Sequence, residues 1–309
     1  MLANFLGKSK PINFIILLGV FLCVFLRSTY TLFVDTPFEF FFLFKIIGFL
    51  ALYLFIFFFY NFVVGKNNLT KDNSYAFLIF TILIGHFLAL SNDFKTLIFF
   101  ILYVIFLRKI YSLKSKKNTL QKLFDCGFWL SILFIIEPFS AIFVVLIYAG
   151  IFLHQKSVSN TLIAPIVGFL TPLIICFTYC LWVDKLYIFT NLFYFDTIFS
   201  FSFNSENTYH WILVLILTLS TTAIFLKSPK AFSVNNSFRK SWILLIINLL
   251  VALLFAFFIP IKNDTEFLLS LFPAAIIIAN GIESVRSNLI KNIVFVLFLA
   301  SVVLLPFML

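Results

Sequence analysis

Long apolar runs separated by short polar turns repeat from one end of the chain to the other. Crossing the hydrocarbon core of a bilayer takes roughly 20 helical residues. Measured against that, the runs give eleven candidate spans, near 12–26, 40–64, 75–90, 96–107, 123–136, 138–153, 160–183, 210–226, 241–259, 266–280 and 292–308. Several fall short of 20 residues. At two joints, SNDFK at 91–95 and the pair Glu137-Pro138, neighbouring short runs could merge into one long kinked helix. The pattern predicts an all-α fold, a polytopic transmembrane helical bundle of about eleven spans. It forms a single integral membrane domain over 1–309, with N-terminal helices over 1–153 and C-terminal helices over 154–309. The sizeable outer loop 186–209 is aromatic and polar together, which predicts an interfacial helix or a reentrant lid.

Composition agrees with the pattern. Of 309 residues 63% are hydrophobic and 11% charged, with a mean hydropathy of +1.13, values no soluble domain of this size reaches. The 48 Phe accompany Ile, Lys and Asn in a bias that an AT-rich genome produces wherever any apolar residue suffices. The N-terminal stretch GKSKPINFIILLGVFLCVFL resembles a signal peptide, but RSTYTL follows it in place of a small-residue cleavage site, so it is expected to be retained as the first span.

Charge sets the orientation, because short loops rich in Lys and Arg stay in the cytoplasm. Counting every run separately puts 17 of the 22 Lys and Arg inside. Merging only the third and fourth runs throws RKIYSLKSKKNTLQK outward, and merging only the fifth and sixth does the same to Lys227 through Lys240. The expected topology is therefore N-in, C-out. The net charge of +10 then faces an anionic inner leaflet, with membrane lipids as partners and no nucleic acid. Acidic residues run the other way: 9 of the 12 fall outside, among them Asp35, Glu39, Asp93, Asp184, Asp196 and Asp264.

Part of that acidic excess is local structure. Thr36-Pro37-Phe38-Glu39 reads as a capping box with Pro at the first helical position, and Asn92-Asp93 and Asn263 with Glu266 read as caps. Asp35, Asp184 and Asp196 lie outside any first helical turn. Cys23, Cys126, Cys176 and Cys180 sit in or beside apolar runs as small hydrophobes, and no metal is implied. His86 lies inside a span, where a polar relay is one reading and a histidine satisfied by a neighbouring helix the commoner one. Lys45, one turn inside span two, reads as snorkelling outward, although a cation there could also hold a lipid phosphate. The chain has no GxxxxGK[ST], GxGxxG, HExxH or DxD, which argues against ATP-driven, dinucleotide, zinc-protease and cytosolic sugar-nucleotide chemistry. No cofactor is expected.

The segment RSTYTLFVDTPFEF, a first span followed by an outer loop bearing a carboxylate, resembles the start of the GT-C fold. These are the membrane-embedded glycosyltransferases that use polyprenyl-phosphate sugars. NDFKTLIFFILYVIFLRKIYSLKSKK resembles their short paired helices and basic turn, and LFDCGFWLSILFIIEPFSAIFVVLIYAGIFL resembles the helical pair that follows. NDTEFLLSLFPAAIIIANGIE resembles their late outer turn and Pro-topped helix. The whole is also similar to an uncharacterised family of bacterial multi-pass inner-membrane proteins. The resemblance implies a transferase at the outer face of the bacterial inner membrane, in envelope glycan or lipid assembly. In that reading Asp35 is the general base on the acceptor hydroxyl, and Arg27 or Lys45 holds the phosphate of a polyprenyl-phosphate-linked sugar. Asp93, Asp184, Asp196 and Asp264 are further substrate-binding candidates. The first outer loop is short and the paired acidic motif of such transferases is absent. That keeps a second reading open, a non-catalytic membrane subunit docking membrane or periplasmic partners. A transporter is the third, and it lacks the symmetric Gly and Pro interruptions such proteins show.

Overall fold

A computed structural model describes residues 2–35, 40–87, 93–115, 117–154, 157–194, 208–233, 236–259 and 267–304. They form thirteen α-helices: α1 Leu2–Leu6, α2 Pro11–Asp35, α3 Phe40–Lys66, α4 Tyr75–Phe87, α5 Phe94–Tyr111, α6 Thr119–Ile136, α7 Val144–Leu153, α8 Ser159–Trp182, α9 Leu186–Asn191, α10 Thr208–Ser233, α11 Asn236–Phe258, α12 Leu268–Ser284 and α13 Asn288–Leu304. Two 3-10 turns, Ser112–Lys114 and Pro138–Phe143, join them, and no strand occurs among the described residues. The described residues of the eleven apolar runs are largely helical. Seven helices, α2, α3, α5, α6, α8, α10 and α11, are long and apolar enough to cross a membrane, the architecture of a multi-pass membrane protein; α4, the segment Pro138–Leu153, α12 and α13 are apolar but shorter.

Both ambiguous joints separate two helices. α4 ends at Phe87 and α5 begins at Phe94. α6 stops at Ile136, Glu137 is extended at φ −144° and ψ 103°, and Pro138 opens the 3-10 turn. The ring of Pro138 fixes its φ and removes an N–H, so it suits the start of a new turn and not the interior of a continuing helix.

The described chain gathers into two compact units. The first comprises 1–97, 203–234 and 271–309, the second 98–202 and 235–270. In the first unit α4 packs against α2, α3 and α13, and α1 packs against α13. Eleven of the 13 residues of α4 are buried, and so is every residue of α12 from Leu268 to Ile282. A helix apolar on all sides belongs in an interior. The apolar faces of these two thus meet neighbouring helices on all sides. The ring of Tyr60 on α3 stacks on Phe80 at 3.7 Å between centres and meets Phe272 of α12 edge-on at 5.2 Å.

In the second unit α6 and α8 are in close contact along their length. A Cβ on Gly127 would stand 1.9 Å from the Pro165 carbonyl oxygen, and one on Gly168 would stand 2.1 Å from that of Phe124. Two glycines on opposite partners thus let the backbones touch, the usual way membrane helices gain packing where burial from water contributes little. α11 packs on α7 and on the turn Pro138–Phe143. A buried hydrogen-bond chain ties α5 to α11: Tyr103 donates to Asn248 Oδ1 at 2.6 Å, and Asn248 Nδ2 donates to the Tyr111 hydroxyl at 3.1 Å. Buried polar groups persist in such a place because they are paired.

Candidate functional site

The residues singled out from the sequence are distributed, and the described geometry gives each a local setting. Asp35 is the last residue of α2, and its side chain lies outside the described residues, as do Glu39, Asp196 and Asp264 entirely. Asp93 is a helix cap. Its Oδ1 accepts from the Lys95 N–H at 3.2 Å, and its Oδ2 accepts from the N–H and hydroxyl of Thr96, both at 3.3 Å. Those bonds satisfy first-turn donors of α5. Asp184, in the second unit, is exposed and left-handed at φ 54° in the turn after α8. Lys45 is exposed, and its ammonium lies 5.7 Å from the centre of the Phe49 ring, one turn deeper along α3. This is a cation–π contact along the helix. Arg27 is half-buried on α2.

In the first unit a cavity of about 350 Å³ opens between α4, α10 and α13, within the size range of small-molecule sites. Leu83 and His86 of α4, Leu215 and Thr218 of α10, and Leu297 and Ser301 of α13 belong to its wall. The lining comes from the C-terminal end of α4, the N-terminal half of α10 and the middle and C-terminal part of α13. Leu215 and Leu297 are exposed on the outside of the unit. The cavity therefore reaches the apolar surface. Its polar groups are few: His86 Nε2 lies 3.1 Å from Ser301 Oγ, and Ser301 donates to the Phe298 carbonyl at 2.7 Å.

α2 reaches the same end of this unit. Val24 Cγ1 lies 3.0 Å from where a Cβ on Gly85 would stand, which sets Val24 at the level of the last turn of α4. Arg27, three residues further on, is about 4.5 Å beyond it along α2. Arg27 thus lies toward the cavity's end of the unit, and His86, also noted in the sequence, is in the wall itself.

Elsewhere in that unit, around the C-terminal end of α12, lies a charged cluster that the sequence did not single out. Glu283 Oε1 meets Lys71 Nζ at 2.8 Å and Lys227 Nζ at 3.5 Å; the Lys227 side chain is 7% exposed and that of Glu283 12%. Glu283 Oε2 is buried without a hydrogen-bond partner. Lys230 donates to the Ser284 carbonyl at 2.7 Å, closing the C-terminal end of α12, where cations are favoured. Asn280, fully buried, donates to the Leu69 carbonyl at 3.0 Å, and Asn13 donates to Ser74 Oγ at 3.3 Å. These bonds fasten the 67–74 turn to α12 and α2, a structural role.

The second unit holds a smaller cavity of about 220 Å³, lined by Leu130, Val144, Tyr148, Pro165 and Phe169 among others and almost wholly apolar. Among the described residues no group of three or more His, Cys, Asp or Glu is placed to hold a metal ion. Of the cysteines, Cys126 and Cys180 are buried and Cys23 is exposed.

His86 was visible in the sequence as a polar residue inside an apolar run. Ser301 and Thr218 were not, because a single hydroxyl in an apolar helix ordinarily bonds its own preceding turn. The pairing of α4 with α13 gives Ser301 its place. Comparison with family models, curated proteins and solved structures returns no match.

Proposed function

We propose that the protein is a multi-pass protein of the bacterial cytoplasmic membrane, N-terminus inside and C-terminus outside, that takes a lipid from the bilayer into the cavity between α4, α10 and α13. The observation that carries this reading is the cavity itself: apolar, of ligand size and reaching a surface of exposed Leu side chains. Within that class the favoured activity is transfer of a glycosyl group from a polyprenyl-phosphate-linked sugar to an acceptor at the outer face. Asp35 is the general base, and Arg27 or Lys45 holds the donor phosphate. The position of Arg27 at the cavity's end of the unit supports this assignment.

Complementation of a deletion strain tests it, with membrane abundance checked by blot. Asp35→Asn keeps the shape and removes the base, so it abolishes function at normal abundance. Full complementation by Asp35→Asn would instead leave a non-catalytic membrane subunit as the reading. One observation already favours that alternative: no carboxylate occurs among the described residues lining either cavity.

A further inference from the structure

Among the described residues three polar side chains line the cavity of the first unit, and their hydrogen bonds show what they still offer. Ser301 spends its only proton on the Phe298 carbonyl at 2.7 Å. Because that bond is the shorter, we assign the Ser301 proton to it; on this assignment the 3.1 Å contact between His86 Nε2 and Ser301 Oγ takes its hydrogen from the ring, and Nδ1 is the acceptor. Nδ1 has no hydrogen-bond partner among the described residues. Thr218 spends its proton in the same way, on the Leu215 carbonyl at 2.9 Å. Among the described lining residues every side-chain donor is thus used inside the protein, and what they still offer is acceptors.

Such a wall discriminates by chemistry. It has no Lys or Arg among its described lining residues, so a phosphate or carboxylate lying within the wall, short of Arg27 at the end of the unit, would have no counter-charge or donor there, which apolar surroundings penalise heavily. It has no Asp or Glu either, so an ammonium fares no better. A neutral group that donates one hydrogen bond fits, and the apolar remainder of the wall takes hydrocarbon.

We propose that this cavity is a binding site for a neutral lipid alcohol, its hydroxyl donating to the free ring nitrogen of His86 and its chain lying along α10 and α13. The proposal rests on the reading of the cavity as a lipid site and names the class of lipid. Under the transferase reading it is the acceptor side of the reaction.

The test uses the full-length protein in nanodiscs and three photoreactive lipids with identical diazirine-bearing chains: a diacylglycerol, its methyl ether and the matched phosphatidic acid. Cross-links are mapped by mass spectrometry. The diacylglycerol should label α10 and α13 about fivefold more than the ether, the scale of one hydrogen bond, and phosphatidic acid should label least. His86→Phe should erase the difference between alcohol and ether, while His86→Gln, which restores an acceptor, should recover part of it. Equal labelling by alcohol and ether in the unsubstituted protein, or preference for phosphatidic acid, would overturn the alcohol site and leave a lipid site standing. That comparison needs no variant. Labelling of these helices by none of the three would overturn the lipid site as well.

Discussion

Glu283 is one of three acidic residues that the charge count assigns to the cytoplasmic side, and by sequence it is unremarkable. In the fold it holds two lysines, one of them buried. Glu283→Ala takes the carboxylate from beside a buried ammonium and should destabilise by about 3–5 kcal/mol. Replacing both buried members, Glu283→Leu with Lys227→Met, should cost much less, because no charge is left to desolvate while Lys71, 78% exposed, returns to water. Thermal unfolding of the detergent-solubilised protein reads both variants, and equal losses would show that the pair is not the source of the effect. At the same scale Asp93 was ambiguous in sequence between cap and ligand, since either role needs only an exposed carboxylate near a helix start. Three hydrogen bonds to Lys95 and Thr96 give it the cap geometry.

Among elements, α6 and α8 show how little of a membrane interface is visible as hydrophobicity. Every apolar residue of α8 is equally content in lipid, and its outward residues Ile174 and Ile175 are more than 60% exposed. Gly127 and Gly168 carry the information, through the space they leave empty. Gly127→Ala or Gly168→Ala puts a methyl group inside 2.2 Å of a carbonyl oxygen, and should force the pair apart and sharply reduce the folded protein recovered from membranes. Gly19→Ala is the control. Nothing lies within 4 Å of its Cβ position, so alanine should be neutral or stabilising by up to about 1 kcal/mol. Quantitative size-exclusion recovery of the three variants checks the contrast. If Gly19→Ala loses as much as the other two, close approach is not what these glycines provide.

For the whole molecule the testable quantity is orientation. With 17 of 22 basic residues on one side when the apolar runs alternate, Ser115 should lie in the cytoplasm and Ser200 outside. Single cysteines at these positions, in a background lacking the four native ones, should respond oppositely to an impermeant thiol reagent added to intact cells: Ser200→Cys labels and Ser115→Cys does not. Labelling of the residue at 115 would reverse the assignment. Ser115 lies just past the 3-10 turn Ser112–Lys114, and Lys122 donates both to its hydroxyl and to the Ser112 carbonyl. Lys122 thus ties the described residues on either side of this basic turn together.

The all-helical class needed only the sequence. Apolar runs bounded by polar turns satisfy their backbone groups in a membrane as helices, so the long helices fall on the predicted runs, while α1 and α9 lie outside them, and Pro138 marks a break because its ring cannot continue the helix before it. Small polar residues and glycines behaved otherwise. A serine in α13, a histidine in α4 and Thr218 at the head of the TLSTT cluster in α10 look like polar interruptions, and their meaning depends on which helices are neighbours. Hydrophobicity cannot choose those neighbours, because lipid and protein are equally apolar to a leucine. Close backbone approach at Gly127 and Gly168 joins α6 to α8 in the second unit, and in the first the packing of buried α4 against α13 places His86 beside Ser301. Those were properties of the packed chain alone.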